Sequence, residues 1–429
     1  MRSISGWERR NLDEVAHLDV EILAALTPKD FEFYYLDISA ASECHLNFPP
    51  TKIQFREAPS RARKVVHSGD VLMSMVRPNL KSFVYFNHSD EPCIASTGFA
   101  VLRAKEHTCS RFILYSILSE DVSRQINGLV IGSNYPAINL TAVRSLKVST
   151  PPKPEQSKIA EILATVDRAI EQTEALIAKQ QRVKTGLMQD LLTRGIDADG
   201  NLRTEKTHEF KDSPLGRIPV EWEVCSLDSV ANFVTSGSRG WARYYATEGS
   251  LFLRIGNLTR QHINMRLDDL VRVKPPELSE GNRTAVDTDD LLISITADLG
   301  IIAVIPEGFE SAYVNQHIAL VRLVKSEVAP RFVGWFLSSR SGQTQFEKLN
   351  ESGAKAGLNL GTIKQLKIPK MEIAEQSRIA AILDDATQKS ANFSQRLTKL
   401  RALKTALMQD LLTGRKRVTA LLSNPPAPA

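Results

Sequence analysis

The side chains that could do chemistry in this chain lie in its turns and loops, and the chemistry they suit is hydrogen bonding rather than bond breaking. One turn carries Arg77, Asn79 and Lys81. A glycine-bearing loop carries Ser133, Asn134 and Tyr135. Farther on come Ser236, Ser238 and Arg239 after Val234, then Asp298 in a second turn and Lys355 in a second glycine loop. Arginine can bond guanine through two donors, asparagine can bond adenine, and aspartate can accept from the cytosine amino group. Most contacts in such an interface would go to phosphate and position the protein. Gly132 and Gly353 would let backbone approach a phosphate closely. Each of these residues could equally be a solvated loop position. Asn139 and Asn359 recur in both halves beside apolar neighbours, which points to a structural role in the loop.

Motifs for catalysis are missing where they would be expected. There is no Gly-x-x-x-x-Gly-Lys-[Ser/Thr] for a P-loop and no His-Glu-x-x-His among the eight histidines. Ser423-Asn424-Pro425-Pro426 approaches the Asn-Pro-Pro-aromatic pattern that stacks on a flipped base. Here Ala427 follows, and no glycine-rich cofactor loop follows a strand upstream. Asp287, Asp289 and Asp290 could hold a metal for a nuclease, but fit better as turn residues before a strand.

The elements that must position the turns are written twice. Trp7-Glu8, Leu12-Asp13 and Val15-Ala16 return as Trp222-Glu223, Leu227-Asp228 and Val230-Ala231. Gly69-Asp70-Val71-Leu72-Met73-Ser74 returns as Asp289-Asp290-Leu291-Leu292-Ile293-Ser294, a tight turn feeding a strand. Helical pieces follow at Phe112 to Leu118 and Phe332 to Leu337. After each glycine loop, Leu146-Lys147-Val148 and Leu366-Lys367-Ile368 precede a long helix.

Those helices hold the clearest repeat. Glu155-Gln156-Ser157 opens one and Leu187-Met188-Gln189-Asp190-Leu191-Leu192-Thr193 closes it; Glu375-Gln376-Ser377 and Leu407-Met408-Gln409-Asp410-Leu411-Leu412-Thr413 do the same for the other. Ile159, Leu163, Val166, Ile170, Thr173, Ile177 and Gln180 recur at steps of four and three, a coiled-coil seam. Ile379, Leu383, Ala386, Ser390, Phe393, Leu397 and Leu400 repeat it. Gly195 and Gly414 stand where C-cap glycines would. The economical partner of one seam is the other. Two copies of a domain plus a helix can pack about a pseudo-two-fold axis, which makes the helices antiparallel and sets the domains at opposite ends of a rod. Duplex DNA has the same symmetry, and a rod would fix the spacing between two readers. The scaffold residues agree between copies, whereas Arg77-Pro78-Asn79-Leu80-Lys81 stands opposite Ala297-Asp298-Leu299. That is the pattern expected if each half reads a different base sequence, although surface loops also drift freely.

Composition narrows the class. Apolar content of 42% and charged content of 24% suit a globular protein, and a net charge of +5 permits nucleic-acid binding without showing it. Cys44, Cys93, Cys109 and Cys225 are scattered, which argues against a disulfide framework and a zinc site and for a reducing compartment. With neither a signal-peptide pattern at the start nor an apolar run of membrane-spanning length, the expectation is a cytoplasmic chain without membrane contact.

With the Glu-Gln-Ser-x-Ile-Ala-x-Ile-Leu opening, the Leu-Met-Gln-Asp-Leu-Leu-Thr close and the Trp-Glu-x-x-x-Leu start of each domain, nearly the whole chain resembles the specificity subunit of type I restriction–modification enzymes. The resemblance implies an α+β fold: two globular mixed α/β target-recognition domains joined by two long antiparallel coiled-coil helices, a pseudo-two-fold internal duplication. Its parts would be recognition domain 1 at 1–153, a long helix at 154–194, an exposed connector at 195–220, recognition domain 2 at 221–370, a second long helix at 371–415 and a flexible tail at 416–429. Each domain would read one part of a bipartite, asymmetric site on double-stranded DNA. The helices would set the unread spacer and dock two methyltransferase subunits, with restriction (motor-nuclease) subunits joining that core. The chain itself would be non-catalytic and hold no cofactor or metal; S-adenosylmethionine, ATP and magnesium would belong to its partners. Two rivals remain at this point, a duplicated coiled-coil adaptor without DNA specificity and an autonomous nuclease or methyltransferase.

Overall fold

Val71-Leu72-Met73-Ser74 and Leu291-Leu292-Ile293-Ser294 are buried at every position. Such a run is a strand covered on both faces, and successive side chains must then enter two different cores. Val71 and Met73 do enter one cluster and Leu72 another. Leu291 and Ile293 divide from Leu292 in the same way. The computed structural model describes residues 6–24, 26–42, 45–88, 91–130, 136–237, 239–274, 279–351 and 358–422. These form two units, Met1–Glu174 with Gln395–Ala429 and Ala175–Ser394.

The first unit contains, in chain order, β1 (Glu8–Asn11), β2 (Ala16–Leu18), β3 (Glu32–Leu36), β4 (Ile53–Gln54), β5 (Ala62–Val66), β6 (Val71–Ser74), β7 (Phe83–Tyr85), β8 (Cys93–Ser96) and β9 (Phe99–Ala104). Then come α1 (Ser110–Leu118), α2 (Glu120–Leu129), α3 (Leu140–Ser145), β10 (Lys147–Thr150) and the long helix α4 (Lys153–Leu191). One sheet has the order β2-β9-β6-β7 and is antiparallel throughout. The other has the order β4-β3-β8-β5, with β8 parallel to β3. β1 pairs with β10 and ties the start of the domain to the strand before α4.

The second unit repeats this plan: β11 (Phe210–Ser213), β12 (Gly216–Pro219), β13 (Glu223–Ser226), β14 (Ala231–Ser236), β15 (Tyr245–Ala246), β16 (Ser250–Leu253), β17 (Arg272–Val273), β18 (Leu291–Ser294), β19 (Ile302–Val304), β20 (Ala312–Val314) and β21 (Ile318–Leu323). α5 (Pro330–Ser338), α6 (Arg340–Glu351), α7 (Leu360–Gln365), β22 (Lys367–Lys370) and the long helix α8 (Ile373–Leu411) complete it. Its antiparallel sheet has the order β14-β21-β18-β19, and β16 runs parallel to β20 as β3 does to β8. Asn139 and Asn359 cap α3 and α7, each side chain accepting from a backbone N–H three residues on.

Each long helix has 39 residues, about 58 Å at the usual rise, and each contributes to both units. In the first unit the two run antiparallel: Asp167 pairs with Lys404 at 2.7 Å and Glu174 with Arg401 at 2.7 Å. Leu411, Leu412 and Val418 pack into the core of that unit with Leu12, Phe112, Ile159 and Leu163. In the second unit Leu191 and Leu192 pack with Trp222, Phe332, Ile379 and Leu383. The Leu-Leu ends of the helices are therefore core residues, each worth roughly 2 kcal/mol of burial.

The Glu-Gln-Ser motif is a latch. Gln156 accepts from the Cys109 N–H just before α1 at 2.9 Å and donates to Pro151 O at 2.8 Å. Gln376 repeats both bonds with Ala329 and Met371. Glu155 is buried and takes Arg417 at 2.6 and 2.8 Å and the Trp7 indole at 3.2 Å. Glu375 takes Arg203 at 2.5 and 3.0 Å and the Ile196 N–H at 3.0 Å. Each carboxylate thus holds an arginine that follows the end of the other long helix.

Two expectations are corrected by these contacts. Residues 195–220 are not an exposed connector: β11 and β12 form a hairpin there, and Ile196, Ile218 and Arg203 are buried in the second unit. The segment after the second helix does not become a loose tail at once, because Arg417 is latched, Val418 is buried, and Thr419–Leu422 is helical. The glycine-bearing, charged composition of the first stretch and the Pro-Ala end of the second hid one arginine apiece with a buried carboxylate to meet.

Candidate nucleic-acid interface

In the first unit β6 runs into the turn that carries three of the candidates. Val76 bridges to Ala137, the Arg77 N–H donates to Pro136 O at 2.7 Å, and Ile138 N–H donates to Met75 O at 2.9 Å. The end of the glycine loop is thereby stitched to the turn. Arg77 and Lys81 both take left-handed backbone, with φ of 47° and 52°. Between them Asn79 and Leu80 are exposed, and Arg77 is exposed beside them. Lys81 turns inward and donates to Leu118 O at 3.2 Å, at the carbonyl end of α1. Its ammonium serves the fold before any phosphate. Ser133, Asn134 and Tyr135 lie outside the described residues.

The second unit builds the equivalent edge. Leu358, where the other glycine loop returns, donates to Ile295 O at 2.9 Å. The turn beyond β18 is held by Ser294 Oγ donating to Asp298 O at 2.5 Å, with Ala297 and Gly300 at positive φ. Asp298 is exposed but engaged: Arg260 bonds its carboxylate at 2.5, 3.2 and 3.3 Å and also reaches Gln343 at 2.7 Å. Ser236 ends β14, and its carbonyl accepts from Arg283 at 2.7 Å. Arg239 is exposed just beyond. Ser238 and Lys355 lie outside the described residues. In the first unit β2 ends at Leu18, before the place equivalent to Ser236, and Asp19 turns to a buried ion pair with Lys64 at 2.7 Å.

Sequence reading passed over three parts of this edge. Arg260 and Arg283 come from segments with no repeat in the first half, so no comparison of the halves exposes them. The third is the Asn315-Gln316-His317 turn between β20 and β21, which stands opposite Ser96-Thr97-Gly98 when the halves are aligned. That replacement of small residues by an amide-and-imidazole turn was a visible signal.

The acidic run proves to be turn chemistry. Asp290 is buried, accepts from the Asp287 N–H at 2.7 Å and holds Arg322 at 2.8 and 2.7 Å. Asp70 does the same for His67 N–H and Arg103. Among the described residues no cluster of His, Cys, Asp and Glu is arranged to hold a metal, and no helix is long and apolar enough to cross a membrane.

Two globular domains, each offering polar turns at one edge and each anchored on the same pair of long helices, define a duplicated recognition module. The profile of the type I restriction modification DNA specificity domain matches residues 4–180 and again 219–402, and the chain belongs to that family. A Methanocaldococcus jannaschii protein described as the MjaX specificity subunit of a type I restriction enzyme is 25% identical, over 96% of this chain and 94% of its own. The HindI specificity subunit of Haemophilus influenzae is 22% identical, over 84% of this chain and 89% of its own. Among solved structures, the type I system S subunit of M. genitalium superposes with a TM-score of 0.61 at 14% identity, covering 96% of this chain and 98% of that one. A chain from a structure of type I restriction–modification assembly gives 0.53 at 23% identity, covering 96% and 99%. At these identities the structures establish the fold.

Proposed function

We propose that this chain is the DNA-specificity subunit of a type I restriction–modification complex. The observation that carries the reading is the double match of the DNA specificity domain, one copy on each globular domain with most of its long helix. Each domain reads one half of a bipartite, asymmetric site on double-stranded DNA. Arg77 and Asn79 serve the first half-site; Ser236, Arg239 and Asp298 serve the second, with Arg260 presenting Asp298. Ser133, Asn134, Tyr135, Ser238 and Lys355 are further DNA-contact candidates in this reading, and Lys81 supports its turn.

Helices α4 and α8 set the length of the unread spacer and dock two methyltransferase subunits. The charged positions that flank their seams, such as Glu161, Arg168, Glu171 and Lys179, are exposed in support of that role. Methyl transfer from S-adenosylmethionine and ATP- and magnesium-dependent cleavage reside in the methyltransferase and restriction subunits, so the chain acts in the cytoplasm as a non-catalytic partner.

The deciding experiment is a methylome of the host with the gene intact and deleted. Deletion should abolish one N6-methyladenine motif, split into two half-sites by a fixed gap and modified on both strands. An unchanged methylome while the modification subunit is expressed would remove the reading.

A further inference from the structure

The Asn315-Gln316-His317 turn lies at the centre of the second domain's polar edge. Its backbone bonds directly to Ile295, and hydrogen bonds one residue removed link it to the glycine loop and to Gly237. His317 O accepts from Ile295 N–H at 3.0 Å, and Ile295 O accepts from Leu358 N–H of the glycine loop at 2.9 Å. On the other side Gly237, next to Ser236, donates to Ile318 O at 3.2 Å. A Cβ at Gly237 would strike the carbonyls of Val314 and Asn315, so the two segments touch.

The scaffold of this turn is common to both domains, and its tip is not. Asn315 Oδ1 accepts from His317 N–H at 3.1 Å, as Ser96 Oγ accepts from Gly98 N–H at 3.3 Å. Gly98 O accepts from Met75 N–H at 2.8 Å, as His317 O does from Ile295. In the first domain a side chain at 98 would meet the end of the Ile38 side chain, which would have to move. In the second domain the same place holds an amide and an imidazole locked together. Gln316 Nε2 lies 2.9 Å from His317 Nε2, and His317 Nδ1 lies 2.7 Å from Thr296 Oγ1. With the amide donating, the imidazole carries its proton on Nδ1 and donates to Thr296. The Gln316 amide then keeps Oε1 and a second N–H side by side.

We propose that Gln316 is a base-reading residue of the second domain and recognises adenine, with His317 and Thr296 as its positioning residues. The paired acceptor and donor match adenine N6–H and N7 in the major groove, the usual partner of a glutamine amide. A free glutamine loses rotamer entropy on binding a base. One already held by an imidazole has lost it beforehand, which is the physical use of the clamp. This inference rests on the specificity-subunit reading above.

The test measures binding of the assembled complex to a set of duplexes, each changed at one base pair of the recognised site. The wild-type complex should prefer A·T at one position of the second half-site by about tenfold or more, the range of a two-bond base contact. Gln316→Ala should bring that preference within about threefold and leave the first half-site and the salt dependence unchanged. His317→Ala should weaken it several-fold at the same base pair and at no other. Wild-type discrimination retained by Gln316→Ala, or loss of preference at a G·C pair, overturns the assignment. If Gln316→Ala does not bind at all, the His317→Ala duplex series decides, and unchanged discrimination there overturns it too. A wild-type complex without any sequence preference would instead defeat the specificity-subunit reading.

Discussion

Glu155 and Glu375 occupy the same place in the repeat and differ in how much water reaches their partners. Arg203 and Glu375 have side-chain exposures of 9% and 8%, whereas Arg417 is 29% exposed over a Glu155 at 1%. Removing one member of a buried pair strands the other charge, at about 3–5 kcal/mol. Glu375→Ala should therefore destabilise the second unit by about that much, and Glu155→Ala the first by less, read from hydrogen exchange in urea. Equal losses would show that exposure of the arginine does not matter. Glu155 also has an acid signature. Burial opposes its ionisation, but the bonds from Arg417 and Trp7 outweigh this and hold the carboxyl below the usual 4.5. A depressed folded value means stabilisation that is complete above the unfolded value and lost as pH falls through the folded one. Unfolding midpoints of the wild type should drop on that acid limb more steeply than those of Glu155→Gln. The motif itself was legible because it is repeated. Its partners were not, since Arg203 lies 172 residues from Glu375 and Arg417 lies 262 from Glu155.

At the scale of elements, the long helices were the most legible part of the chain. Their four-and-three heptad spacing is a local property, and after Pro154 their runs contain no proline and, in α4, only Gly186 as a glycine. One step past Gln180, Lys184 is buried, donates to Gln261 O at 2.6 Å and lies over the Trp335 ring at 4.8 Å. A lysine there breaks the apolar pattern, so periodicity alone stopped short of it. Gly195, just beyond α4, has φ 65°, and a Cβ there would strike Glu375, Trp222 and Arg203. Gly195→Ala should cost at least about 1–2 kcal/mol from the left-handed backbone alone, more than the same change at Gly186, which meets open space; thermal unfolding of the two variants makes the comparison. If the helices set the spacer, four residues inserted near Lys179 lengthen α4 by about 6 Å. The motif recovered by sequencing methylated bases should then show a longer gap. An unchanged gap with intact binding would take that role from the helices.

For the whole molecule, the division of each core among distant segments has a direct consequence. Truncation before Leu407 removes Leu411, Leu412, Arg417 and Val418 from the first unit and nothing from the core of the second. Hydrogen exchange should show protection lost in β1 to β10 and kept in β13 to β22. Binding of the full complex to DNA should weaken with salt at a logarithmic slope of about −0.9 per phosphate contact, whereas an adaptor without DNA specificity would show little slope. By itself the sequence determined the duplication, the order of elements, the helix registers and a structural rather than base-reading role for Asn139 and Asn359. These follow from periodicities of two and 3.6 and from signals within a few residues of each other. Tertiary structure alone decided which arginines reach Glu155 and Glu375, why Ile196, Arg203 and Ile218 are buried within 195–220, and how the Asn315-Gln316-His317 turn meets the turn beyond β18. Those contacts span long stretches of chain, and the turns are joined through backbone N–H and carbonyl groups that every residue type shares.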